Sequence, residues 1–249
     1  MTVTAQDTNH PRLPLELIAE ILDCLCGDKK TLAVCSLVCK IWTRPARYRL
    51  FEKVAIHPRI LGKVLDTGSA AMPFIQRLFL TPSYLGSPFY NKILPRLVGL
   101  ESIRSLSLTY FFWPDLNPEA KIAFFTHFAA IVRLHLQFVK TSTFSQLATI
   151  ICAFSCLETL VVNGTQGWSH AGPPPSVLRF PRNMRELELR INNTNVFLEW
   201  LLSFPTTPAL QTVYLHGALS EEINPFLQAL GGSLEVFRYD GCCDDAGKL

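Results

Sequence analysis

Cysteine is the residue type in this chain whose number and spacing could form a metal site. Four of its eight cysteines lie close together: Cys24, Cys26, Cys35 and Cys39. Four thiolates can hold a zinc ion in a tetrahedral cage. However, only eight residues separate the two pairs, and all four fall on apolar helical positions, where a free cysteine packs as a small hydrophobic residue. Cys152 and Cys156 have the same setting, so we predict no metal site and no cofactor.

Catalytic motifs are absent from the sequence. It has no Gly-x-Ser-x-Gly, no His-Glu-x-x-His, no phosphate-binding loop and no Gly-x-Gly-x-x-Gly after a strand. The six histidines are scattered, and the only suggestive neighbours are Ser169 and His170, which no adjacent residue would activate. We therefore expect a protein that is not an enzyme.

The composition is that of a folded protein with a large core. Hydrophobic residues make up 49% of the chain and charged residues 17%, which is far from a disordered composition. The longest uncharged stretches, 141–157 and 159–178, are interrupted by polar residues and prolines, so we predict no membrane partner.

The first twelve residues are polar and unlike a signal peptide, which predicts a cytoplasmic or nuclear protein with reduced cysteines. A net charge of +3, spread over the whole chain, predicts no nucleic-acid partner.

A triplet of apolar residues at i, i+3 and i+5 recurs through most of the chain, and its middle members are 24 to 28 residues apart. The alternation in each triplet predicts a short strand with one buried face. Some twenty residues separate successive strands, a length that suits a crossover between parallel strands. The eight triplets are Phe51/Val54/Ile56, Ile75/Leu78/Leu80, Ile103/Leu106/Leu108, Ile131/Leu134/Leu136, Leu157/Leu160/Val162, Met184/Leu187/Leu189, Leu210/Val213/Leu215 and Leu234/Phe237/Tyr239.

Several segments between the triplets have helical patterns with start signals. Helices are predicted to begin at Asn117, near Asn193 and near Ser220, the last of them ending before two glycines. The segment 164–183 has four prolines and no helical period, which predicts an irregular surface loop. That loop is either a binding loop around Trp168 or a repeat that has lost its helix, and the sequence leaves both open.

The first fifty residues have a different pattern. Residues 13–25 show helical spacing of apolar side chains, with Pro14 in the first turn. A second helical pattern over 32–42 follows Asp28 as a cap, and Pro45 then interrupts it. So small a bundle encloses only part of its apolar residues, so either the repeats or a partner protein must cover the remainder.

These patterns carry a resemblance to a known family. LPLELIAEILDCL followed by KTLAVCSLVCKIWTRPARYRLF resembles an F-box, a three-helix module marked by Leu13-Pro14, the acidic Glu16, and the run Val38-Cys39-Lys40-Ile41-Trp42. The triplets resemble leucine-rich repeats, although the Asn or Cys expected after the last leucine occurs only as Asn192. The segment CSLVCKIWTRPARYRLFEKVAI is also similar to the F-box-like proteins of mushroom-forming fungi.

The predicted fold class is α/β. We expect a flexible N-terminus over 1–12, a three-helix F-box over 13–50, and a curved parallel-sheet leucine-rich-repeat solenoid of about eight strands over 51–249. Residues 242–249 are too few for another helix, so the last strand should have an open edge. A truncated chain, a fragment and an end-to-end contact all remain open as explanations.

The resemblance implies a substrate-recognition subunit of a Skp–cullin–F-box ubiquitin ligase. In that family the F-box binds a Skp adaptor, and through it a cullin, while the repeats hold a protein target. No bond is made by the F-box protein itself. The alternative is an interaction scaffold that uses the same modules outside a ligase.

Two sets of binding residues follow. The predicted adaptor-binding residues are Leu13, Pro14, Leu17, Ile18, Ile21, Leu32, Val38 and Trp42, although about half of them could be internal to the bundle. The alternation of the strands places target-binding residues on a concave sheet face: Phe79, Thr109, His135, Gln137, Glu188, Arg190, Tyr214, His216 and Arg238. Their mixed chemistry suits a protein target, and a merely solvated sheet face is the alternative.

Overall fold

The structure is a computed structural model that describes residues 13–59, 71–82, 86–166, 178–205, 208–217 and 223–241. The chain forms two compact units, the first ending at Lys53 and the second beginning at Val54. The sequence places the boundary after residue 50, and the third helix continues to Phe51. The N-terminal segment predicted to be flexible lies outside the described residues.

The first unit consists of three helices, α1 (Leu15–Cys24), α2 (Lys29–Val38) and α3 (Lys40–Phe51). Helix α3 packs against both of the others. The unit has a small core, separate from that of the repeats, with four buried hydrophobic residues: Ile18, Leu22, Leu32 and Ala46. Leu25, Cys35, Trp42 and Leu50 pack around this core and are partly buried.

Helix α2 begins as the sequence predicts. The Asp28 carboxylate accepts hydrogen bonds from the backbone N–H groups of Lys30 and Thr31, both at 3.0 Å, and from the Thr31 hydroxyl at 2.6 Å. These bonds satisfy N–H groups that have no partner within the helix. The Thr31 hydroxyl contributes most to holding the pKa of Asp28 below its ordinary value. Pro14 occupies the N-cap position of α1 rather than its first turn.

The predicted interruption at Pro45 is wrong. The break lies at Cys39, whose backbone is extended (φ −163°, ψ 169°), and Pro45 is inside α3. Because α3 begins at Lys40, Pro45 falls in its second turn, and only the carbonyl of Ile41 loses its helical partner. The Thr43 hydroxyl lies 3.0 Å from a carbonyl oxygen at the end of α2 and also 3.0 Å from that of Cys39, so it helps to tie the two helices together.

The second unit is built on one open parallel sheet with the strand order β1 to β8. Parallel pairing runs from β2 to β8, so the prediction of parallel strands is confirmed. The strands are β1 (Lys53–Ile56), β2 (Arg77–Leu80), β3 (Ser105–Thr109), β4 (Arg133–Lys140), β5 (Thr159–Gln166), β6 (Glu186–Arg190), β7 (Thr212–Gly217) and β8 (Val236–Gly241).

Helices lie in the crossovers of this sheet. They are α4 (Gly86–Ile93), α5 (Pro118–His127), α6 (Phe144–Cys152), α7 (Thr194–Leu202) and α8 (Ile223–Leu230). The predicted start of α5 is confirmed, since the Asn117 side chain accepts a hydrogen bond of 2.7 Å from the N–H of Ala120. Helix α7 begins directly after Asn193. The start signal near Ser220 lies outside the described residues. Among the helices that the structure describes, none is long and apolar enough to cross a membrane.

The predicted triplets stand in register across the sheet. Their middle members form one inward row: Leu78, Leu106, Leu134, Leu160, Leu187, Val213 and Phe237. Their last members form a second row that runs from Leu80 to Tyr239, so the triplet prediction is confirmed from β2 to β8. Two positions differ from the expectation. Phe51 belongs to α3, and Phe237 is 37% exposed because β8 is the last strand of the described sheet.

A shared hydrogen-bond acceptor joins each repeat to the next. The carbonyl of Arg104, which follows the first member of its triplet, accepts from the N–H groups of Val132 at 2.8 Å and Arg133 at 2.9 Å. The carbonyls at the same position of five other repeats do likewise: Gln76, Val132, Glu158, Arg185 and Gln211. The shared acceptor ties the entrance of each strand to the preceding repeat. The apolar triplets select the register, because a slip of one residue would turn each buried row to the outward face.

The segment 164–183 differs in part from its prediction. Strand β5 extends to Gln166, so the first three of these residues belong to the sheet. Residues 178–183 are irregular, as predicted, and Phe180 is buried against Trp200 and Phe204. Trp168 lies outside the described residues.

We expect Gly164→Ala to lower the free energy of unfolding by about 1–2 kcal/mol. The backbone of Gly164 is left-handed (φ +70°), and an added Cβ would lie 3.0 Å from Cδ1 of Phe138. Chemical unfolding followed by circular dichroism measures the change. Gly232→Ala is the matched control, since a Cβ there meets nothing within 4 Å and should change stability by less than about 0.5 kcal/mol. Equal effects of the two substitutions would contradict this account.

Candidate functional site

The outward sheet face, opposite the buried triplet rows, carries all the predicted target-binding residues. Register places five of them in one row across the sheet: Phe79, His135, Glu188, Tyr214 and Arg238. The other four stand in the row two residues further along: Thr109, Gln137, Arg190 and His216. The register thus places the nine residues in two rows on one face of the sheet; that this face is concave and that it binds a target stay predictions.

Five of these nine residues come together in one pocket at the β6–β8 end of the sheet. The pocket has a volume of about 600 Å³. It is lined by Glu188, Arg190, Tyr214, His216, Phe237, Arg238, Tyr239 and Asp240. Phe237 and Tyr239 were expected only in the core, and they reach the pocket because β8 ends the described sheet. Asp240 continues the row of His216.

Three side-chain pairs organise this pocket, which we call the β6–β8 pocket. Within β6, Nε of Arg190 lies 2.5 Å from Oε1 of Glu188. Between β7 and β8, Nδ1 of His216 lies 3.2 Å from Oδ2 of Asp240. The Arg238 guanidinium lies over the ring of Tyr214, 5.6 Å from its centroid, a distance typical of a cation–π contact. Charged, aromatic and imidazole groups thus alternate across three strands.

The remaining predicted target-binding residues lie outside the β6–β8 pocket. His135 is half-buried, and burial lowers its pKa; the carboxylate of Glu188 opposes that shift and Arg190 adds to it. Its imidazole is therefore neutral at pH 7. The Thr109 hydroxyl and the Gln137 amide oxygen lie 3.4 Å apart. The structure does not bring these side chains into the pocket.

Two aromatic residues that the sequence did not single out are Tyr110, directly after β3, and Phe138, within β4. Tyr110 and Phe138 both have a left-handed backbone (φ 54°), which costs a residue other than glycine about 1–2 kcal/mol. Their rings stack at 5.1 Å with an interplanar angle of 14°, and each residue is 37% exposed. The next repeat has Gly164 at this position, also left-handed. That glycine, 26 residues after Phe138, was the one signal in the sequence of a left-handed backbone at this position of the repeat.

The predicted adaptor-binding residues divide by burial. Four are exposed hydrophobic side chains: Leu13, Leu17, Ile21 and Val38. Pro14 is also exposed, and Trp42 is partly buried against the core of the helical unit. Ile18 and Leu32 are buried in that core, so their assignment to an interface is wrong. Ile18 lies one turn before Leu22 on the inner stripe of α1, whereas Leu17 and Ile21 lie on an exposed stripe.

The helical unit exposes further large hydrophobic residues that the prediction omitted. They are Leu15, Val34, Leu37, Ile41 and Tyr48. Leu37 is the most exposed of them at 80%. Helical spacing in the sequence identifies apolar stripes, but it does not say which stripe of a given helix faces the core when both are apolar.

Cysteine chemistry does not form a site in the described part of the chain. No three His, Cys, Asp or Glu side chains gather there as a metal site would require. Cys24, Cys26 and Cys39 are exposed, and Cys35 is partly buried. Burial raises the pKa of the Cys152 thiol to about 12. Ser169, His170, Cys242 and Cys243 lie outside the described residues.

We expect Cys152 to resist alkylation in the folded chain. With its pKa near 12, about one thiol in ten thousand is a thiolate at pH 8, and the thiolate is the reactive form. Iodoacetamide labelling at pH 8, located by mass spectrometry, should modify the exposed Cys156 far sooner. Labelling in denaturant should remove the difference. Equal rates in the folded protein would show that Cys152 is not shielded.

Comparison with known proteins adds no assignment. No protein-family model matches the chain, and no curated protein matches it.

Proposed function

We propose that this protein is the substrate-recognition subunit of a Skp–cullin–F-box ubiquitin ligase. In this proposal the helical unit is an F-box that binds a Skp-type adaptor, and the sheet unit is a leucine-rich-repeat solenoid that binds a target protein. The protein makes no bond itself. Its sequence motifs, the in-register Leu-x-x-Leu-x-Leu rows and the surface of the helical unit support this function.

The exposed apolar surface of the helical unit is the observation that carries the proposal. The unit buries four hydrophobic side chains in its core and exposes nine large ones: Leu13, Leu15, Leu17, Ile21, Val34, Leu37, Val38, Ile41 and Tyr48. Such surface costs free energy in water, about 25 cal/mol for each Å². So many large hydrophobic side chains exposed on a unit of three helices favour a site for another protein.

The sheet unit supplies what a substrate receptor needs. Its parallel ladder and shared carbonyl acceptors fix the spacing of the repeats, so a bound target is held at a set position. Ubiquitin transfer depends on the effective concentration of a target lysine near the loaded thioester. A receptor that holds the target rigidly raises that concentration without contributing a catalytic group.

Replacing two exposed side chains of the helical unit should weaken adaptor binding. We expect Leu17→Ser with Val38→Ser to raise the Kd for a purified Skp-type adaptor at least about tenfold, which corresponds to about 1.4 kcal/mol. Both side chains are exposed, so the melting temperature should change little. Isothermal titration calorimetry on the full chain measures the Kd.

The matched control is Val98→Ser with Ile122→Ser. These side chains of the sheet unit are 64% and 68% exposed, and their loss should leave the Kd unchanged. An unchanged Kd for the Leu17 and Val38 variant would refute the proposed adaptor surface. Adaptor binding without incorporation into a reconstituted cullin complex would favour the scaffold alternative.

A further inference from the structure

Among the described residues that line the β6–β8 pocket, Arg238 is the guanidinium that forms no ion pair with a carboxylate. Glu188 is paired with Arg190 and Asp240 with His216. Among the residues that the structure describes, no carboxylate lies within 4.0 Å of Arg238. The acidic groups of the pocket are therefore already engaged, whereas the guanidinium of Arg238 remains open to a ligand.

The orientation of Arg238 suits an anionic ligand. Its guanidinium carbon lies over the ring of Tyr214, and the N–H groups of a guanidinium that no carboxylate engages can donate to a ligand. A carboxylate can accept two parallel hydrogen bonds from these groups. The cation–π contact with Tyr214 favours this position of the guanidinium before any ligand arrives.

The rest of the pocket favours an acidic side chain on a peptide. Phe237, from the opposite face of β8, is 37% exposed at the end of the described sheet and adds apolar surface to the lining of the pocket. The Arg190 guanidinium, whose side chain is 48% exposed, provides a second source of N–H donors. A lysine or arginine from a ligand would instead meet carboxylates that already have partners, and it would be repelled by Arg238.

We infer that the β6–β8 pocket binds a carboxylate side chain in an acidic segment of the target protein, with Arg238 as its anchor. The inference rests on the proposed function only in taking the ligand to be a target protein. The inference adds the chemistry of the bound segment, which is acidic, whereas the motifs and the outward sheet face do not specify it.

The test uses two fluorescein-labelled peptides and the full chain. One peptide alternates Glu with Leu, and the other has Gln in place of every Glu. Fluorescence anisotropy should show that the Glu peptide binds at least about tenfold more tightly, and Arg238→Gln should abolish this preference. Asp240→Asn should increase the preference, since it removes a negative charge from the pocket.

Arg133→Gln is the matched control. Arg133 is an exposed arginine on the same sheet face, at the start of β4 and outside the pocket, so its loss should preserve the preference for Glu. The inference is overturned if the unmodified chain binds both peptides equally, or if Arg133→Gln has the same effect as Arg238→Gln. Circular dichroism of each variant verifies that it is folded.

The outcome is independent of the adaptor experiment. Arg238→Gln should leave the Kd for the Skp-type adaptor unchanged, because the substitution lies in the other unit. If the chain does not bind the Skp-type adaptor but still prefers the Glu peptide, the proposed ligase function is refuted and the site for an acidic ligand is supported. If the adaptor binds but the peptides do not differ, only the inference about the ligand falls.

Discussion

The structure of the sheet unit depends on the carbonyl that each repeat shares with the next. This single carbonyl oxygen accepts hydrogen bonds from the N–H groups of two consecutive residues of the following repeat, with N···O distances of 2.8 to 3.0 Å. It fixes where each strand begins, and the alternation of the chain then determines which side chains face the core and which face outward. The inward leucine rows and the outward polar and aromatic rows are consequences of that one registration.

Much of this registration could be predicted from the sequence, because the repeat spacing and the apolar triplets are local properties of the chain. The exceptions have physical reasons. A proline at position 45 is expected to interrupt a helical pattern, but a helix that begins at Lys40 accommodates Pro45 in its second turn. Ile18 and Leu17 are apolar neighbours on α1, and Ile18 is the one buried because it faces the core that α2 and α3 complete with Leu32 and Ala46. Burial in a small bundle is set by tertiary packing, which the sequence pattern does not encode.

The candidate site was predictable as two rows of residues but not as a pocket. Alternation places Glu188, Tyr214 and Arg238 side by side, whereas the pairing of Glu188 within its own strand leaves Arg238 to stack on Tyr214. Such choices among nearby charges depend on distances of a few tenths of an ångström. The left-handed backbone at Tyr110 and Phe138 was equally hidden, since aromatic residues normally avoid that conformation.

The small core of the helical unit has a consequence for the lifetime of the protein. Four buried hydrophobic side chains give such a unit little intrinsic stability. A partner that binds only the folded form adds RT ln(1 + [L]/Kd) to that stability, about 2.7 kcal/mol at a hundredfold excess over Kd. In the proposed complex, the abundance of the adaptor would therefore set how often the helical unit opens, and chains in excess of the adaptor would be the first exposed to proteolysis.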